Sequence, residues 1–117
     1  MNNHYIEIIE QRLNEASLIL RHISKLLREG GFIDSNIRND FIQSIQAIYN
    51  ASLFMRWQSM EDTAIKLLEQ GENLKATSYE EMLATIEVSQ TLLRQMRLLI
   101  EHYDNENANR KGKLAAL

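Results

Sequence analysis

The sequence predicts an all-α antiparallel bundle, and three observations predict it. Two segments carry unbroken apolar stripes: Ile6, Ile9, Leu13, Ala16, Leu20, Ile23 and Leu27 in the first, and Tyr79, Met82, Ile86, Ser89, Leu93, Met96, Ile100 and Tyr103 in the last. Both keep alternating steps of three and four, the spacing that puts side chains on one face of an α-helix. The chain has no proline and four glycines in 117 residues, where average usage would give about six prolines. The remaining composition is rich in Ala, Leu, Met, Glu, Gln, Lys and Arg, all good helix formers.

The first helix is expected over about residues 3–29. Glu7 and Glu10 lie near its start and Lys25 and Arg28 near its end, the sense that complements the macrodipole. A second row, Tyr5, Ile19 and Leu26, widens its apolar face beyond that of a two-stranded coiled coil. Gly30 and Gly31 end it, since glycine takes the left-handed conformation of a C-cap at no steric cost. Phe32 and Ile33 are expected to fold back onto its last turn. Asp34 or Ser35 can N-cap the next helix, with Ile33 as a staple.

The middle helix is expected over residues 35–70. Its stripe begins as Ile37, Phe41, Ile45, Ile48, Ser52 and Met55, and Asp62 then occupies the continuing position. A different row takes over: Leu53, Trp57, Met60, Ala64 and Leu67. At about 100° per residue, Trp57 falls on nearly the opposite side from Ile48. Two structures fit this pattern. One helix can run through and bury different faces in its two halves, or the helix can break near Ser59, where Ser59 and Asp62 have a capping spacing. With no glycine or proline at the switch, the continuous helix is favoured, giving three long helices rather than four. Gly71 is read as its stop, and Leu74 as an anchor in the following connection.

The last helix is expected over residues 78–103. Ser78 with Glu81, or Thr77 with Glu80, forms the S/T-x-x-E box that starts it. Residues 1–103 thus make one bundle domain. Residues 104–117 are polar and patternless and are read as a flexible tail, whose last five residues, KLAAL, resemble vector-encoded sequence ahead of an affinity tag.

Composition excludes several classes of function. The formal charge of −3 is mild, and no basic run gives the footprint of a nucleic-acid binder. The absence of cysteine rules out disulfides, thiol chemistry and Cys-based zinc sites. No segment approaches the roughly 18 consecutive apolar residues of a membrane span. The first residues lack the basic and apolar regions of a signal peptide, and a cytoplasmic location is expected.

Chemistry-bearing motifs are sparse. None of His4, His22 and His102 has a glutamate three residues before it or a histidine four residues away, so the ligand pairs of di-iron bundles and zinc helices are absent. No metal or cofactor is expected, and no nucleophile elbow or phosphate loop is present. Arg97 and His102 have R-x4-H spacing near the end of a helix, which resembles the motif of the HEPN ribonucleases. That resemblance implies a dimer in which Arg97 and His102 act on a phosphodiester. It covers two residues, and Leu98 stands where that family usually has a polar residue. A DNA-binding dimer using the second helix is a further alternative, though its surface of Asn36, Arg38, Asn39 and Asp40 is nearly neutral.

The densest apolar stretch, residues 47–60, goes all the way round the helix. A helix apolar on every side must be covered on every side, so this segment either sits at the centre of the bundle as an aromatic core or meets another chain, and Trp, Tyr, Phe and Met are enriched at the centres of interfaces. Tyr49, Leu53, Phe54, Trp57 and Met60 are therefore the expected interface, most simply of a two-fold homodimer. The expected function is non-enzymatic: a small regulator, adaptor or chaperone that binds another protein by helix packing.

Overall fold

A computed structural model describes residues 3–75 and 78–116, with side chains described for residues 4–75 and 78–103. The described residues form four helices: α1 (Asn3–Arg28), α2 (Ser35–Met55), α3 (Gln58–Asn73) and α4 (Tyr79–Ala116). Each packs against its neighbours in sequence, and α4 closes the ring against α1. Contacts at the ends fix the directions. Tyr5 of α1 stacks on Phe54 at the end of α2, and Trp57, just ahead of α3, meets Tyr103 of α4. The helices therefore run up, down, up and down.

The heptad stripes form the core. In α1, Ile6, Ile9, Leu13, Ala16, Leu20, Ile23 and Leu27 are all buried. In α4, the stripe from Ile86 to Ile100 is buried, Met82 and Tyr103 are half-buried, and Tyr79 is exposed. Ser89 sits in this stripe fully buried, its Oγ without a hydrogen-bond partner. Ser52, Thr63 and Thr85 instead donate to carbonyls four residues back, at 2.7, 2.9 and 3.0 Å. These bonds satisfy hydroxyls that would otherwise be costly to bury.

The α1–α2 connection follows its residues closely. Gly30 takes φ +74°. Its N–H bonds the Leu27 carbonyl at 3.2 Å and that of Gly31 bonds Leu26 at 2.7 Å, the paired pattern of a Schellman cap. Asp34 caps α2 by accepting from the Ile37 N–H at 2.9 Å. Ile33 packs against the core as expected. Phe32 does not fold back: it is 83% exposed. Leu74 is buried, and the Ser78 hydroxyl accepts from the Glu81 N–H at 3.4 Å. Thr77, the alternative cap one residue earlier, lies outside the described residues.

Three expectations are corrected. The stretch favoured as one helix over 35–70 is two, the other structure its pattern fits, with the break at Arg56 and Trp57, two residues ahead of Ser59. Arg56 adopts the left-handed conformation (φ 56°, ψ 42°). The N–H of Arg56 bonds Leu53 at 3.1 Å and that of Trp57 bonds Ser52 at 3.0 Å. This is the same cap as at Gly30, built without glycine. Reversal here lets the Phe41–Ile45–Ile48–Ser52 row and the Met60–Ala64–Leu67 row enter one core, which a continuous helix could not do. A left-handed arginine is uphill by roughly 1 kcal/mol relative to glycine, so Arg56→Gly is expected to raise the stability by about that amount in urea denaturation.

Gly71, read as a helix stop, lies inside α3 and is buried. A Cβ there would fall 2.8 Å from Ile42 Cγ1 and 3.8 Å from Phe41 Cδ1. This glycine is needed for the close approach of α3 to α2, not to end the helix. Finally, α4 continues to Ala116 rather than ending near Tyr103. Periodicity marks where a helix is buried; residues 104–116 lose the apolar stripe but contain no proline and a single glycine to stop helical geometry.

Candidate functional site

The expected interface residues converge on one end of the bundle, where α1 begins, α2 turns into α3 and α4 passes. The structure divides them into three groups. Met60 is fully buried and belongs to the core of this chain, so it offers no surface to a partner. Tyr49 and Trp57 are half-buried against that core. Trp57 lies over Tyr103 with ring centroids 4.9 Å apart and planes at 38°. Leu53 and Phe54 are the exposed members, at 45% and 76%.

The chain reversal produces this division. Arg56 turns the backbone so that Trp57 and Met60 point back toward the space that Ile48 and Ser52 fill. Most of the apolar excess of residues 47–60 is thereby covered from within. Phe54, in the last turn of α2, is left outside, and its ring stacks on Tyr5 at 5.4 Å with the planes 16° apart. His4 meets the same tyrosine edge-on at 5.8 Å. Sequence reasoning did not place Tyr5, His4 or Tyr103 in this cluster. Tyr5 stood out only as part of a second apolar row on α1, and its partner depends on the position of the break. Offset-stacked and edge-to-face pairs of this kind contribute about 0.5–1.5 kcal/mol beyond the area they bury.

Arg97 and His102, the pair with R-x4-H spacing, are placed differently from each other. The Arg97 guanidinium donates to Asn14 Oδ1 and Ser17 Oγ, each at 3.2 Å, and so tethers α4 to α1. His102, five residues on, lies about 140° round the helix at 100° per residue and is exposed. Arg38, on the helix face considered for DNA, is half-buried, and its Nε is enclosed without a hydrogen-bond partner. At the far end of the bundle Glu72 pairs with Lys75 at 2.9 Å. That hydrogen bond, the lysine charge and the more distant Arg38 hold the Glu72 carboxyl below its ordinary range. The pair is open to water and contributes little to stability.

Among the described residues no group of three or more His, Asp or Glu side chains is placed to hold a metal ion. No described helix is long and apolar enough to cross a membrane. Comparison with family models, with curated proteins and with solved structures finds no match for this chain.

Proposed function

We propose that this chain is a protein–protein interaction module, a small cytoplasmic regulator, adaptor or chaperone, whose working surface is the aromatic end of the bundle. Its most direct use is pairing with a second copy through Leu53 and Phe54. One observation carries the proposal: a phenylalanine 76% exposed beside a leucine 45% exposed, on a segment whose other large apolar side chains are covered. Exposing a large aromatic side chain forgoes roughly 1.5–3 kcal/mol of burial, which a partner surface would recover. Tyr5, stacked on one face of Phe54, holds that ring in place and reduces the side-chain freedom lost on association.

Light scattering across micromolar concentrations tests this directly. The wild-type chain is expected to be a dimer, and Phe54→Asp a monomer of unchanged helicity whose melting temperature falls by a few degrees, through loss of the Tyr5 stack and of association. A wild-type monomer at every concentration would overturn the pairing.

A further inference from the structure

The seam between α1 and α4 carries a second feature, independent of the aromatic end. Its rims are one row from each helix, and their charges are sorted along the length. Near the aromatic end Glu10 and Glu101 line a hollow of the seam whose inner edge is Arg97, which also lines the next cleft along. In the middle lies a cleft of about 290 Å³ lined by Arg21, Arg94 and Arg97 with Ser17 and Gln90, over a floor of core leucines, and no carboxylate lines it. Farther along come Lys25 and Arg28, with Glu29 closing that end. The chain as a whole carries −3, so this concentration of cations is local.

Three arginines around one cleft repel one another unless something neutralises them. The ion pairs among the described residues, Arg12 with Glu15 and Lys75 with Glu72, involve none of the three. Two of them are held in place by neutral groups. Arg97 is tethered by Asn14 and Ser17 across the seam, and Arg94 donates to Thr91 Oγ1 at 3.2 Å. Hydroxyl and amide acceptors orient a guanidinium without cancelling its charge, leaving further N–H groups for a ligand. A guanidinium presents paired donors that match phosphate or carboxylate oxygens two at a time.

We infer that this cleft binds a small multivalent oxyanion, a diphosphate or a tricarboxylate. Size and charge set the class. The cleft holds about ten water volumes at roughly 30 Å³ each, enough for two or three charged groups. Carboxylates at both ends of the seam confine the positive stretch; from Arg97, tethered at Ser17, to Arg28 it spans about 16 Å along α1. A long polyanion would run onto Glu10 and Glu101 at one end and Glu29 at the other. The cleft also offers no aromatic ring on which a nucleic-acid base could stack.

Calorimetric titration of the full chain with inorganic pyrophosphate, with citrate and with a 20-nucleotide single strand, at constant ionic strength, tests the inference. Saturable one-to-one binding of pyrophosphate or citrate is expected, and whichever binds more tightly identifies the chemistry. Arg21→Gln and Arg94→Gln, both at exposed positions, should each weaken it at least tenfold without lowering the anion-free melting temperature. Arg12→Gln, outside the cleft, should have no effect, and Phe54→Asp should bind the anion as the wild type does, whatever its oligomeric state. Failure of both small anions to bind, or equal binding by Arg21→Gln and Arg94→Gln, would overturn the inference. Oligonucleotide affinity that grows with strand length would do so too, by showing an extended track instead of a compact site.

Discussion

Phe41→Ala is expected to destabilise the fold by about 3–5 kcal/mol, the range for truncating a fully enclosed aromatic side chain. Phe41 is fully buried in the first half of α2 and is among the largest side chains with no exposure at all. It also lies where the helices approach closely, since a Cβ at Gly71 of α3 would come within 3.8 Å of its ring. Truncation there leaves a cavity that backbone movement cannot readily close, because Ile42 already occupies the space next to Gly71 at 2.8 Å from the same point. Small domains have only about 5–15 kcal/mol of stability in total. For a chain of this size the loss corresponds to a fall in melting temperature of about 10–20 °C. Thermal and urea denaturation followed by circular dichroism at 222 nm would measure it. A fall of only a degree or two would mean that α3 does not pack on α2 as described.

Gly71 also shows why parts of this fold were not legible in the sequence. A glycine can end a helix through a left-handed cap, or lie within one where a neighbouring backbone comes close. Residue type does not separate the two, and the apolar row of α3 is too short to decide between them. Gly30 could be read because a long stripe ends just before it. The α1 stripe was legible in full, and the α4 stripe from Met82 to Tyr103 though not at the exposed Tyr79, since a regular heptad row has one way to be buried. The break at Arg56 left only an indirect trace. Its left-handed conformation is stabilised by what the turn permits, the burial of two apolar rows on one side. The sequence did reveal the change of face between Met55 and Trp57; it did not reveal that the change is made by reversing the chain.

The candidate site was legible to the same extent. Residues 47–60 stand out as unusually apolar, and the choice of another chain over the centre of the bundle as their cover assumes a helix with one continuous surface. Once the chain turns at Arg56, Met60 enters the core and Trp57 leans on Tyr103, so the surplus shrinks to Leu53 and Phe54. Tyr103 could not be assigned as the partner of Trp57 from sequence, because that contact requires knowing that α4 returns to the end where α3 begins.

That division makes Trp57 and Phe54 separable by experiment. Trp57→Ala is expected to cost about 2–3 kcal/mol, somewhat below the range for a fully buried tryptophan, because the side chain is half-buried rather than enclosed. The loss has two sources: the ring contact with Tyr103 at 4.9 Å, and the apolar cover that holds the left-handed turn at Arg56 against an intrinsic cost of roughly 1 kcal/mol. Arg56→Gly should gain about 1 kcal/mol in the wild type, so the two residues are coupled where its gain beside Trp57→Ala differs from that value. A double-mutant cycle in urea would show this as non-additivity of at least about 0.5 kcal/mol, the scale on which neighbouring residues couple. Phe54→Asp should show the converse profile: a change in self-association, with a smaller loss of monomer stability of about 1 kcal/mol from the Tyr5 stack. If Trp57→Ala instead dissociates the protein without destabilising it, the tryptophan belongs to the interface and the two residues act together.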